Sequence, residues 1–185
     1  MVQLMNSGHG SMAKWGFSQI TVADNAKILD IGCGGGANIA NWLKRCKKGH
    51  VTGMDYSEVS VQVSSKKNKK AINENRCDVL LGNVTAMPFE AESFDTVSAF
   101  ETIYFWPEIE NSFAQVYRVL KTGGKFMICN ELDGTSPSDE KWTSIIDGMT
   151  VYNEKEICDL LVKVGFKILS INHTNKHWIC VIGEK

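Results

Sequence analysis

The sequence predicts an α/β fold in which a mostly parallel β-sheet is covered by helices on both faces. Short aliphatic runs alternate with longer amphipathic segments from residue 26 to residue 131, which is the pattern of βαβ crossovers. A glycine-rich turn follows the first of these runs, at the edge where such sheets bind ligands. Near the C-terminus two strand-like runs are separated by four residues, and so short a connection permits only an antiparallel hairpin.

Composition restricts the class of protein. The 185 residues are 43% hydrophobic and 22% charged, as expected for one globular domain covering 1–185. A net charge of −1 gives no basic field for nucleic acid or an anionic membrane. Apolar stretches fall far short of the roughly 20 residues that span a bilayer, and the N-terminus lacks the layout of a secretory signal. We therefore expect a cytoplasmic protein without nucleic-acid or membrane partners; the oligomeric state is not predicted.

The cysteines are expected to be structural thiols. The chain has six of them, and no two form a CxxC or CxxH pair. A zinc site needs clustered ligands, and a secreted disulfide scaffold is usually smaller and denser in cysteine. No metal site is therefore predicted.

Strands are predicted where apolar, often β-branched runs lie between turn residues. In chain order these runs are 26–32, 50–55, 77–83, 94–100 and 125–131, followed by the hairpin strands 166–172 and 177–183.

Helices are predicted where apolar residues recur at helical spacing or where end signals are present. The first has a basic final turn, which suits a helix C-terminus. Pro107 begins the third, the sequence KTGG ends it, and Gly165 closes the last. The predicted helices are 37–48, 57–75, 107–120 and 153–164.

The turn after the first strand carries the strongest functional signal. Gly32, Gly34 and Gly36 alternate in it, and such a turn provides positive φ angles and a backbone that a ligand can approach closely. Close packing of strand and helix is the alternative reason for these glycines. Asp30 lies two residues before the first glycine and favours a cationic ligand.

A dinucleotide site is a second interpretation of the same turn. The spacing from Gly32 to Ala37 also satisfies a relaxed G-x-G-x-x-G/A pattern, and Asp55 follows at about the distance of a ribose-binding acid. Three features argue against NAD: the carboxylate of Asp30 beside the turn, the polar Asn83 that ends the third predicted strand, and the C-terminal hairpin.

Taken together, these motifs resemble class I S-adenosylmethionine-dependent methyltransferases of the type 11 group. The similarity covers roughly residues 26–183. The opening NSGHGSMAKWGF also resembles the N-terminal lid of some bacterial members, and RVLKTGGKF resembles the family's turn into the fifth strand. The family's acid-GxGxG motif, its second acid and its adenine-side motif are matched by Asp30, Gly32, Gly34 and Gly36, by Asp55 with Tyr56, and by Asn83 with Val84 and AMPFEAESFD.

The resemblance implies a fold and a division of the chain. The fold is a Rossmann-like three-layer αβα sandwich with a seven-stranded sheet in the order 3-2-1-4-5-7-6 and an antiparallel last strand. The expected segments of the single domain are an N-terminal lid (1–20), a cofactor-binding core (26–131), a substrate-side loop (132–152) and a C-terminal helix with its hairpin (153–183).

The resemblance also implies the cofactor, S-adenosylmethionine. Asp30 is expected to attract its ammonium group directly or through water, and Asp55 to accept from both ribose hydroxyls. The family usually has Asp where this chain has Asn83, whose amide oxygen is expected to accept from the adenine amino group. The residues expected to bind the cofactor are Asp30, Gly32, Cys33, Gly34, Asn38, Asp55, Tyr56, Asn83, Val84 and Phe100.

The expected activity is methyl transfer to an O, N or other nucleophile of a small-molecule acceptor. A sulfonium methyl is already activated, so the enzyme mainly has to orient the reactants and exclude water. Glu101, Tyr104 and His9 are the candidate catalytic residues, while Trp106 and Trp15 are candidate neighbours of the site. An NAD(P)-dependent oxidoreductase and a non-catalytic adenosylmethionine-binding module are the alternative functions.

Overall fold

A seven-stranded β-sheet forms the centre of the protein in a computed structural model that describes residues 10–185. The strands are β1 (Lys27–Ile31), β2 (His50–Asp55), β3 (Cys77–Leu81), β4 (Phe94–Phe100), β5 (Leu120–Asn130), β6 (Lys167–His173) and β7 (Ile179–Glu184). Their order is β3-β2-β1-β4-β5-β7-β6. The first five are parallel, and β7 runs antiparallel to both of its neighbours. The predicted strand order and the antiparallel last strand are confirmed.

Helices flank both faces of this sheet. They are α1 (Gly10–Phe17), α2 (Ala37–Arg45), α3 (Glu58–Lys67), α4 (Lys69–Asn73), α5 (Ile109–Val119), α6 (Pro137–Ile145) and α7 (Glu154–Val164), with short 3₁₀ turns at Val84–Ala86 and Ile103–Phe105. Gly165 closes α7 as predicted, at a φ of 116°. The structure also shows a capping box, formed by Asn153 and Glu156, at the start of this helix.

Two apolar layers, one on each face of the sheet, form the core. Phe17 of α1 and Trp42 of α2 pack edge to face in the first layer, with ring centroids 4.7 Å apart. Phe113 of α5 packs against Phe126 of β5 in the second. The sheet is therefore covered on both faces, as parallel sheets are. Because β1–β5 are parallel, their carboxyl ends lie at one edge.

The prediction of one continuous helix over 57–75 is wrong. The structure has two helices there, α3 and α4, separated at Asn68. The buried Asn68 side chain donates to the carbonyl of Gly36 at 3.1 Å and to that of Ser64 at 3.0 Å. Helical periodicity contained no signal for this break, because the bond to Gly36 is tertiary.

Other boundaries differ as well. The first predicted helix ends at Arg45 rather than at 48, and α5 begins at Ile109, after Glu108 takes a left-handed φ of 44°. The sequence KTGG lies inside β5 instead of only ending the helix. The predicted loop 132–152 contains α6. Among the described residues, no helix is long and apolar enough to cross a membrane.

Candidate cofactor and acceptor site

The three alternating glycines lie between β1 and α2, all in the left-handed region. Their φ angles are 69° at Gly32, 51° at Gly34 and 75° at Gly36. A Cβ on Gly32 would lie 2.4 Å from a Thr102 methyl carbon, and one on Gly36 would lie 2.4 Å from Ser64 Oγ. A Cβ on Gly34 would meet no atom within 4 Å. Packing therefore requires two of the glycines, whereas the third presents bare backbone to open space.

Asp55 ends β2 with its carboxylate held by two backbone N–H groups. Gly34 donates to Oδ2 at 2.9 Å, and Ser57 donates to Oδ1 at 3.0 Å. The side chain is buried. The first motif and the second acid, 21 residues apart in the chain, thus form one unit at the carboxyl edge of the sheet.

Asp30 lies deeper, between Gly53 of β2 and Ser98 of β4. Ser98 Oγ donates to Asp30 Oδ1 at 2.7 Å and itself accepts from the indole N–H of Trp42 at 2.9 Å. The pKa of Asp30 is raised to about 7, mainly by burial. The Ser98 hydrogen bond opposes this rise, and the nearby Asp55 carboxylate adds to it. A cation at this edge would therefore favour the ionised form of Asp30.

Cys33 stays a thiol. Burial, first, and then the Asp30 and Asp55 carboxylates raise the pKa of Cys33 well above its usual range. Its sulfur lies 3.8 Å from Ser64 Oγ. Cys33 therefore supplies backbone and volume to the turn and no thiolate.

The side chain of Asn83 caps the 3₁₀ turn at Val84–Ala86. Its Oδ1 accepts from the backbone N–H of Thr85 at 3.0 Å and from the Thr85 hydroxyl at 3.0 Å. A capping N–H requires the amide oxygen, so Nδ2 is the group left to face a ligand. The predicted bond from the adenine amino group to the Asn83 oxygen therefore competes with two bonds already formed.

The remaining predicted cofactor residues lie around this edge at different depths. Tyr56 follows Asp55 and is 81% exposed. Val84 is buried, and Asn38 is half-buried in the first turn of α2. Phe100, the last residue of β4, is buried against Phe17 with ring centroids 4.9 Å apart. Phe100 thus contributes to the core beneath α1.

Glu101 follows β4 with a left-handed φ of 59°. Its carboxylate accepts a hydrogen bond from the hydroxyl of Tyr104 at 3.2 Å and another from the backbone N–H of Glu131. A left-handed non-glycine residue is strained and persists where its surroundings hold it. Glu101 therefore links the carboxyl ends of β4 and β5.

Tyr104 extends this link. Its hydroxyl accepts from the backbone N–H of Leu132 at 3.0 Å. Burial, followed by the Glu101 carboxylate, raises the pKa of Tyr104 well above its usual range. The neutral phenol thus fixes the position of Glu101 and of the chain that leaves β5.

The other residues predicted near the site lie in different parts of the protein. Trp106 stacks on Phe126 at 6.1 Å and belongs to the core. Trp15 lies on α1, 6.1 Å from the ring of Trp178. His9 lies outside the described residues.

Sequence reasoning missed Ser98 and Thr102. Ser98 lies in an apolar strand run, where a small hydroxyl carries no signal of its own. Thr102 packs against Gly32 and donates to the carbonyl of Ile31 at 3.3 Å. Both contacts join residues about 70 positions apart in the chain, and only the pairing of β1 with β4 reveals them.

The residues at this edge fit S-adenosylmethionine. The cofactor carries an ammonium, a carboxylate, a sulfonium and an adenosine, but no phosphate. Asp30 and Asp55 supply negative charge, and the open backbone at Gly34 supplies a surface for close approach. A pyrophosphate would instead meet two carboxylates at the turn.

Comparison with known proteins agrees with this fit. The family model described as "Methyltransferase domain" matches residues 29–128. The chain is 30% identical to 24-methylenesterol C-methyltransferase 3 of Arabidopsis thaliana, over 81% of this chain and 44% of that protein. It is 34% identical to squalene methyltransferase 1 of Botryococcus braunii, over 78% of this chain and 40% of that protein. The chain thus spans less than half the length of these relatives.

Solved structures agree on the fold. A putative methyltransferase, solved in complex with the Trm112 methyltransferase activator of Haloferax volcanii, superposes with a TM-score of 0.87 at 18% identity, over 99% of this chain and 92% of that chain. The cofactor predicted from the sequence, S-adenosylmethionine, is confirmed, and the dinucleotide interpretation is set aside. The chain belongs to the methyltransferase domain family.

Proposed function

We propose that this protein transfers the methyl group of S-adenosylmethionine to a carbon atom of an apolar small molecule. The observation that carries the proposal is a set of exposed apolar side chains on the two connections that leave the carboxyl ends of β4 and β5. Phe105 follows β4, while Trp142 and Ile145 lie three residues apart on α6 and are 45% and 62% exposed. Exposed apolar groups of this size, on the connections that leave a ligand edge, favour an apolar ligand.

The named relatives support a carbon acceptor. One is named as a C-methyltransferase of 24-methylenesterol, and another as a methyltransferase of squalene. Squalene is a hydrocarbon without heteroatoms, so a methyl group can be added to it only at carbon.

The residues of the chain have separable roles in this reaction. S-adenosylmethionine supplies the methyl group on an electron-poor sulfonium. The backbone at Gly34 and the carboxylate of Asp55 bind and orient the cofactor, and Asp30 stabilises its ammonium end. The apolar residues of α6 exclude water, which leaves the acceptor as the nucleophile at the site.

Methylation of an alkene also needs a proton acceptor. The π electrons of the acceptor form the new carbon–carbon bond as the sulfur–methyl bond breaks, and the cation left on the acceptor then loses a proton. Glu101, at the end of β4, takes this proton. The Tyr104 hydroxyl and the Glu131 N–H hold it in position.

The proposal is tested by incubating the protein with methyl-labelled S-adenosylmethionine and each of two acceptors, squalene and a 24-methylenesterol. We expect label in the extracted lipid and equimolar S-adenosylhomocysteine. Asp55→Ala, which removes the proposed ribose ligand, is the matched negative control.

Two results would replace the proposal. If S-adenosylhomocysteine stabilises the protein and the methyl group is transferred to amines or hydroxyls but to no apolar acceptor, the acceptor atom is nitrogen or oxygen instead of carbon. Stabilisation without transfer to any acceptor from a metabolite extract would favour the non-catalytic binding module.

A further inference from the structure

Asn130, the last residue of β5, is a buried amide without a hydrogen-bond partner in the described structure. Its exposed fraction is 0%, and neither Nδ2 nor Oδ1 has a partner. More than nine in ten buried polar groups in folded proteins are paired, and an unpaired one costs on the order of 1–3 kcal/mol. A leucine would fill such a position without that cost.

The position of Asn130 connects it to the acceptor side. The next residue, Glu131, donates its N–H to the Glu101 carboxylate, and Leu132 donates to Tyr104. Because side chains alternate along a strand, Asn130 shares a face of the sheet with Ile128. Its register partner on β7 is the buried Ile179.

The chemistry of the side chain restricts what can bind it. An amide offers one donor group and one acceptor oxygen, both neutral. A fully charged group buried against it would lose its hydration without a counter-charge, which is far more costly than burying a hydroxyl. The complementary ligand group is therefore a neutral hydroxyl or carbonyl.

We propose that Asn130 binds a neutral hydroxyl or carbonyl group of the methyl acceptor and thereby orients it, an inference that rests on the proposed function. The acceptor is then an apolar molecule with one uncharged polar group. Its apolar body contacts the exposed side chains of α6, and its polar end reaches the carboxyl end of β5.

Because Asn130 is fully buried, an acceptor can reach it only if neighbouring chain moves, and the connection 132–152 is the segment that leaves β5 beside it. Polar contacts hold both ends of this connection: the N–H of Leu132 donates to the Tyr104 hydroxyl, that of Thr150 donates to the Tyr104 carbonyl at 2.9 Å, and the Asp133 carboxylate lies 3.4 Å from His177 Nδ1. Trp142 and Ile145 face solvent, so they add little apolar burial to hold α6 down. Binding of an apolar acceptor would supply that burial.

The test uses Asn130→Leu, with Asn68→Leu as a matched control for stability. Asn68 is also buried, but its amide makes two hydrogen bonds. We expect Asn68→Leu to lower the melting temperature and Asn130→Leu to leave it unchanged or raise it. Asn130→Leu should bind S-adenosylhomocysteine as the unmodified protein does.

Acceptor binding is measured on the protein saturated with S-adenosylhomocysteine, using farnesene, farnesol and farnesyl diphosphate. These probes share an isoprenoid chain and carry no polar group, a neutral hydroxyl and a charged group, respectively. We expect the unmodified protein to bind farnesol about tenfold more tightly than farnesene, and Asn130→Leu to remove that preference.

Three binding results would overturn the proposal: Asn130→Leu prefers farnesol over farnesene as strongly as the unmodified protein does, the unmodified protein binds farnesyl diphosphate most tightly, or it does not bind farnesol. A loss of stability in Asn130→Leu as large as that in Asn68→Leu would also overturn it. Failure of the unmodified protein to bind S-adenosylhomocysteine would instead contradict the proposed methyltransferase function itself.

Discussion

The backbone N–H of Gly34 donates a hydrogen bond to the Asp55 carboxylate at 2.9 Å. This bond joins the glycine turn after β1 to the acid that ends β2, so the two motifs form a single structural unit at the proposed cofactor site. A change at either residue should therefore alter both cofactor binding and the geometry of the turn.

Asp55→Ala should weaken binding of S-adenosylhomocysteine by about 1.5–3 kcal/mol, because the ribose hydroxyls lose a charged acceptor. It should also lower the free energy of unfolding by about 1 kcal/mol, since the Gly34 N–H loses its partner. Calorimetric titration and chemical denaturation measure the two effects. Asp78→Ala, at a carboxylate whose side chain is 69% exposed, is the control and should alter neither by a comparable amount. Unchanged affinity in Asp55→Ala would place the ribose acceptor elsewhere.

Asn83→Asp should tighten cofactor binding by about tenfold, roughly 1.4 kcal/mol. One carboxylate oxygen can keep the two bonds from Thr85, while the other replaces the amide N–H₂ and accepts from the adenine amino group. Asn25→Asp adds the same charge at an exposed position before β1 and serves as the control. Weaker or equal binding in Asn83→Asp would show that the adenine amino group does not approach this side chain.

Cofactor binding should release protons from Asp30. The pKa of Asp30 is raised to about 7 in the folded protein, and the ammonium of the cofactor favours its ionised form, so affinity should rise with pH between about 5.5 and 7.5. Calorimetry in buffers of different ionisation enthalpy measures the protons released. Asp30→Asn should abolish the release, and a release that persists in this variant would assign it to another group.

The same raised pKa of Asp30 affects stability without ligand. Because the folded state holds the proton more tightly than the unfolded chain, the free energy of unfolding should fall as pH rises from 3.8 to about 7. Denaturation across this range should show a smaller fall in Asp30→Asn. A fall of equal size in both proteins would mean that other groups cause it.

Glu101→Gln should lower kcat by at least about 100-fold, because the amide cannot take the proton lost by the acceptor. The fold should lose less than about 1 kcal/mol, since the glutamine oxygen can still accept from Tyr104 and from the Glu131 N–H. Turnover and thermal unfolding are measured together. Tyr104→Phe, which removes only the positioning hydroxyl, should reduce kcat less. A kcat in Glu101→Gln equal to that of the unmodified protein would restrict Glu101 to a structural link.

Local sequence determined most of the fold. The bounds of β2 and β4 follow directly from their apolar runs, and the short connection before β7 required an antiparallel last strand. The glycine spacing, Asp30 and Asp55 predict a cofactor site at the carboxyl edge of the sheet, and the structure brings these residues together there.

Only the tertiary structure decided which of the polar side chains at this edge already have hydrogen-bond partners. The Asp55 carboxylate accepts from the Gly34 N–H, and the Glu101 carboxylate accepts from the Glu131 N–H that follows β5. The helix break at Asn68 and the unpaired amide of Asn130 are equally absent from the sequence pattern. Periodicity and composition report burial and local backbone preference, whereas hydrogen-bond partners distant in the chain are selected only when the strands and helices pack together.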